Sequence, residues 1–242
     1  MRVPIWLMAL LAVWGLALHG ALAAALLYPD AIWRRWHRVW PGRAEETVSP
    51  FRRNTMALQA RLDLTVQPRA VWVFGDSHVQ AMDIGRIAER AVNLGIGEDT
   101  VPGLLSRIGT HPALPGAAGV VLAVGINDLA FRGPEAIAAS YADLLARLPA
   151  GMPAVIGAVL PVNERVRPGG LNARIGRLNA ALADLCRARP HCRFADAGPR
   201  LRDATGAPDP QMYLADGLHL SAEGYRRWIE VLGPAVREGI PP

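Results

Sequence analysis

Val71-Trp72-Val73-Phe74 is a continuous apolar run that stops at Gly75-Asp76-Ser77-His78, and that run decides the fold. Four apolar residues closed by a glycine are too few for a buried helix and suit a strand covered on both faces. Working outward, similar runs occupy residues 91–94, 119–124 and 154–159, with a short one near 193–195. Helical patterns lie between and after them, at residues 79–90, 101–108, 134–148, 171–189 and 222–237. In the fourth of these, Ile175, Leu178, Ala181, Leu182 and Leu185 recur with a period near 3.6. Short apolar strands alternating with helices predict a three-layer α/β sandwich on a mainly parallel five-stranded sheet, spanning residues 68–242.

The chain has 242 residues with a formal net charge of +5, which at first suggests a nucleic-acid partner. The charge is misplaced for that role. Arg2, Arg34, Arg35, Arg38 and Arg43 stand against Asp30 alone in the first 43 residues, a local balance of 5 − 1 = +4. The remainder carries 5 − 4 = +1, too little for a phosphate-neutralising face. No nucleic-acid partner is expected.

The positive charge adjoins an apolar segment instead. Residues 3–28 form a run of 26 without a charged side chain, enough for a helix to cross a hydrocarbon core of roughly 30 Å. Trp33, Trp36 and Trp40 then alternate with Arg34, Arg35 and Arg38, a composition suited to the headgroup region. Ala21-Leu22-Ala23 also fits a signal-peptide cleavage site, but the apolar run continues past it. The expected organisation is therefore an N-terminal transmembrane anchor at residues 1–28, a membrane-proximal linker at 29–67 and a catalytic domain at 68–242. The arginines after the helix favour a cytoplasmic body by the positive-inside rule. Cys186 and Cys192, with no metal-like spacing around them, favour a disulfide and hence an exported body. The export reading is preferred: a single-pass inner-membrane protein with its body outside the cytoplasm.

In parallel sheets the chemistry sits beyond the carboxyl ends of the strands, so the loops after them hold the candidates. Ser77 follows the first strand and opens the next helix; a plain helix-capping serine is the bland alternative. Near the other end, Asp216-Gly217-Leu218-His219 can bring a carboxylate under an imidazole, fixing its tautomer and stabilising its protonated form. Asn127, after the third strand, can donate an amide N–H to developing negative charge or merely cap a helix. The turn Gly95-Ile96-Gly97-Glu98-Asp99-Thr100 exposes backbone N–H groups. His111 and His191 read as ordinary core or surface residues, and His37 as an interfacial one.

These four segments, in this order, resemble the SGNH/GDSL hydrolase superfamily, nearest its lysophospholipase and platelet-activating-factor acetylhydrolase-like branch. The resemblance covers roughly residues 69–237 and includes Met212-Tyr213 and Gly224-Tyr225. It implies a flavodoxin-like fold, Ser77 as nucleophile, His219 as base and Asp216 as its orienting partner. The implied oxyanion hole is the Ser77 N–H, a second-block N–H and the Asn127 side chain. Where many relatives read GIGGDT this chain has Glu98 preceded by Gly97, which leaves the second donor open between Glu98 and Gly97. The other departure is His78 in place of the leucine of the GDSL name, read as a residue of the first helical turn or, less simply, of the entrance.

The expected activity is hydrolysis of an O-acyl ester of a lipid or carbohydrate, with no metal and no cofactor. The alternatives are an O-acyltransferase using the same triad, with residues 165–171 as a lid-like loop, and a non-catalytic glycan- or lipid-binding module. Chain length of the acyl group, the alcohol and the oligomeric state are not encoded in these motifs.

Overall fold

The computed structural model describes residues 4–27 and 49–241, and the chain divides into two compact units at residues 47 and 48. The first unit contains helix α1 (Ile5–Leu27), which has no acidic residue in its first turn and no basic one in its last. Trp6, Val13, Trp14, Leu16 and Leu18 of α1 are exposed. Among the described residues no helix is long and apolar enough to cross a membrane. The transmembrane span expected at residues 1–28 is not found among the described residues. The Trp/Arg segment at residues 33–40 lies outside the described residues.

The second unit begins before the expected boundary at residue 68. Helix α2 (Pro50–Leu62) is capped by the Ser49 hydroxyl, which accepts from the Arg52 N–H, and has proline in its first turn. It buries Arg52 and Gln59 in the body. Gln59 donates to the Gly95 carbonyl at 3.1 Å and accepts from Arg107 at 3.2 Å. Much of the presumed linker is thus part of the domain.

Five parallel strands follow: β1 (Val71–Gly75), β2 (Ala91–Gly95), β3 (Gly119–Ala123), β4 (Ala154–Gly157) and β5 (Cys192–Ala195). Their order is β2-β1-β3-β4-β5, the flavodoxin-like arrangement, whose switch point falls at β1 and β3. Strand residues alternate between two cores. Trp72, Phe74, Val120 and Leu122 face α4 (Val101–Ile108), α5 (Pro134–Ala146) and α6 (Leu171–Arg187) through Leu104, Tyr141, Leu144, Leu178 and Leu182. Val71, Val73, Val121 and Val155 face Trp228, Leu232 and Val236 of helix α7 (Ala222–Gly239). The predicted three-layer sandwich is present.

Three of the boundaries that differ from the sequence expectation do so where a side chain takes main-chain groups. The helix expected over 79–90 is the single turn α3 (Ser77–Gln80), with a 3₁₀ turn at Ile84–Arg86. There the Asn93 amide donates to the carbonyls of Val79 (2.8 Å) and Met82 (3.2 Å), drawing the chain out of helix. β3 stops before Val124, whose N–H and carbonyl both bond the Tyr141 hydroxyl. β4 stops before Val159, whose N–H and carbonyl go to the Asn179 side chain at 2.9 Å each.

Candidate active site

Gly75 closes β1 at a point where a side chain would collide with Val79 and the Ala123 carbonyl, so only glycine lets the chain turn here. Asp76 caps α3 through its carboxylate, which accepts the His78 N–H at 3.0 Å. Ser77 is the first residue of that turn, and the first N–H groups of a helix have no internal partner. With four residues, α3 brings little dipole to the site.

The Asp216/His219 loop is folded back on itself. Tyr213 bridges Leu220 in antiparallel sense, Leu214 donates to the His219 carbonyl at 2.8 Å, and Gly217 donates to the Leu214 carbonyl at 3.0 Å. Gly217 has φ +67° and abuts Val166; a larger residue would meet both strain and a clash. This hairpin sets Asp216 Oδ2 2.5 Å from His219 Nδ1, and His219 Nε2 3.0 Å from Ser77 Oγ. Asp216 Oδ1 accepts from the Leu218 N–H at 2.9 Å and the His219 N–H at 3.0 Å. Burial works upward on the Asp216 carboxyl, but these three hydrogen bonds outweigh it and hold the group at about 2. Asp216 is therefore an anion at neutral pH, acceptor-only, beneath an imidazole whose other nitrogen meets the serine.

The second and third segments lie at the ends of β2 and β3. Gly97 donates its N–H to Gln80 Oε1 at 2.8 Å and has ordinary backbone angles. Glu98 is exposed, has φ +64°, and its N–H has no partner among the described residues. Of the two candidates, Glu98 is thus the one with an unengaged donor. Its left-handed backbone is a local strain of the kind functional turns retain. Asn127 precedes a short 3₁₀ turn without capping it; its amide donates once, to the Asp99 carbonyl at 2.9 Å. One amide hydrogen remains.

Asp99 anchors this corner. Fully buried, it takes Arg107 through Nε (2.9 Å) and Nη2 (2.7 Å), and Arg52 of α2 at 3.0 Å. Neither arginine stands out in sequence, because nothing in a lone charge predicts burial. Asn93 and Gln80 were equally invisible as roles, although a polar residue inside an otherwise apolar strand is a usable signal. His78 is not at the entrance: it is buried and bonded at both nitrogens. His111 is a satisfied core residue, 3.0 Å from Asp63 and edge-on to Trp72. His191 lies on the surface.

Residues 165–171 form a turn tied to the site: Arg167 Nε donates to the Asp216 carbonyl at 2.7 Å, and Asn163 N–H to the Gly217 carbonyl at 2.8 Å. Cys186 and Cys192 are joined in a disulfide that links the end of α6 to β5. Among the described residues no cluster of His, Cys, Asp and Glu is arranged to hold a metal.

The model of the GDSL-like lipase/acylhydrolase family matches residues 73–227. A GDSL-like lipase from Bacteroides thetaiotaomicron is 20% identical, covering 76% of this chain and 98% of its own, with TM-score 0.66. The lipase/acylhydrolase from Enterococcus faecalis is 18% identical over 72% and 98% of the two chains, TM-score 0.62. An acetylxylan esterase from Geobacillus stearothermophilus is 14% identical over 72% and 94%, TM-score 0.57. These three share the fold. No curated protein matches the chain.

Proposed function

The chain belongs to the GDSL-like lipase/acylhydrolase family and is a carboxylic ester hydrolase, and we propose that it works through an acyl-enzyme on Ser77. The observation that carries this is the relay Asp216 to His219 to Ser77, at 2.5 and 3.0 Å. Ser77 Oγ attacks the ester carbonyl carbon while its proton passes to His219 Nε2. Asp216, held as an anion, stabilises the imidazolium through Nδ1. The tetrahedral oxyanion accepts from the N–H groups of Ser77 and Glu98 and from the Asn127 amide. Collapse breaks the carbon–oxygen bond, and His219 returns its proton to the leaving alcohol. Water then repeats the sequence, giving the carboxylic acid and free Ser77. A fluorophosphonate probe should label Ser77 in the wild type. Loss of labelling in Ser77→Ala, with circular dichroism unchanged, supports the assignment; persistent labelling ends it.

The same reading includes a membrane anchor at residues 3–28 and a body outside the cytoplasm. The uncharged run supports the anchor, and the Cys186–Cys192 disulfide supports an oxidising compartment. Phe51, Leu58 and Leu62 are exposed on one line of α2, and Phe51 reaches to 3.6 Å from where a Gly97 side chain would begin. An apolar stripe beside the oxyanion turn suits an ester presented at the envelope, on a lipid or an O-acylated carbohydrate. An alkaline phosphatase fusion after Pro242 should be active and a green fluorescent protein fusion dark; the reverse would place the body in the cytoplasm. An acyl-length series on p-nitrophenyl esters then separates acetyl from long-chain substrates.

A further inference from the structure

His78 follows the nucleophile and takes no part in the mechanism above, yet its ring is built into the site. Nδ1 lies 3.2 Å from Asp76 Oδ1, and Nε2 lies 3.0 Å from the main-chain oxygen of Leu218. Both partners are acceptors with no hydrogen to give. A neutral imidazole has one N–H and would set a bare lone pair against one of these oxygens in a buried place, at the cost of an unmade hydrogen bond. An imidazolium satisfies both. The two oxygens belong to the segments that must stay in register: Asp76 caps the Ser77 turn, and Leu218 lies between Asp216 and His219.

We propose that His78, held as an imidazolium, is a positioning residue that ties the Ser77 turn to the Asp216–His219 loop. This rests on the reading of Ser77 and His219 as nucleophile and base. The groups facing the ring allow the charge. From its own turn comes Asp76; from the opposite loop come Asp216 and the His219 ring, whose centroid is 5.6 Å away. From α7, Tyr225 donates its hydroxyl to the His78 carbonyl at 3.0 Å, and Trp228 stands edge-on at 6.2 Å. Burial pushes the Tyr225 phenol up to about 12, so it stays neutral. Burial also opposes charge on His78, but the hydrogen bond and charge of Asp76, the Leu218 carbonyl and the Asp216 charge outweigh it and raise its pKa. With the folded value above the unfolded one, both ties are intact below the ordinary histidine pKa. One of them is lost as the pH climbs through the raised value, when the ring must release one oxygen.

The first test is nitrogen-15 NMR of the ring in the wild-type protein at pH 7. Both His78 nitrogens should be protonated; one bare ring nitrogen overturns the proposal. This readout does not depend on activity, so it can stand or fall apart from Ser77 labelling. The second is His78→Leu, which supplies the residue of the family name. It should lower kcat on p-nitrophenyl acetate by on the order of tenfold to a hundredfold through misplacement of the base, with KM little changed. The wild type should show an alkaline fall in kcat as His78 loses its proton, and the variant should not. A variant with wild-type kcat and an unchanged alkaline limb overturns the proposal.

Discussion

Replacing Asp216 by asparagine tests the relay where the geometry leaves least room. Asp216 Oδ1 already accepts two main-chain N–H groups, from Leu218 and His219. An asparagine that keeps those bonds must turn its NH₂ toward His219 Nδ1. Nδ1 then accepts instead of donating, the proton moves to Nε2, and Nε2 faces Ser77 as a donor unable to take its proton. A wrong tautomer of this kind costs about 10⁴-fold in kcat, which at about 1.36 kcal/mol per tenfold is about 5.4 kcal/mol of barrier. The opposite rotamer preserves the tautomer but sets NH₂ against two N–H groups, forfeiting two hydrogen bonds of about 1 kcal/mol each. One loss or the other must appear. The assay is kcat on p-nitrophenyl acetate beside a thermal melt, with Ser77→Ala as the zero. A variant retaining a tenth or more of kcat with an unchanged Tm would refute the reasoning. Acid does not mimic the substitution until far below neutrality. With its carboxyl held at about 2, Asp216 supports the folded loop fully above the ordinary Asp value of about 3.9. That support is lost only as the pH falls toward about 2.

Asn127→Ala removes one proposed oxyanion donor and the tie to the Asp99 carbonyl, and should cut kcat by about 10²–10³-fold with KM little affected in steady-state assays. Opening the Cys186–Cys192 bridge by Cys192→Ser releases a short loop. The expected loss is at the low end of the roughly 2–4 kcal/mol typical of disulfides, read in denaturant melts beside the reduced wild type; equal midpoints for oxidised and reduced protein would contradict it. Burial pushes Asp128 up to about 6 against the Val101 N–H and Arg132, so ionising it works against the fold. Stability should fall as the pH rises from about 4 to 6, and Asp128→Asn should flatten that part of the Tm–pH curve; parallel curves for the two proteins would be the wrong result.

The five apolar runs and the intervening helical periods determined the architecture by themselves, since a parallel sheet buried on both faces has to read as continuous apolar segments. Ser77, Asp216, His219 and Asn127 could be picked out from sequence as candidates, because strand ends in such sheets are the places where loops converge. What local sequence does not carry is the fate of main-chain groups at those ends. Asn93, Tyr141 and Asn179 decide where α3, β3 and β4 stop, through bonds to groups 14 to 20 residues distant. Tertiary structure also distinguishes the main-chain N–H groups of Gly97 and Glu98. Only once Gln80 is folded against the turn is the Gly97 N–H taken and the Glu98 N–H left. His78 is the sharpest case. On one turn of sequence it is a residue beside a serine; in the fold its ring meets the Asp76 carboxylate and also the Leu218 carbonyl, 140 residues away, and the protonation of a buried ring depends on the oxygens packed against it.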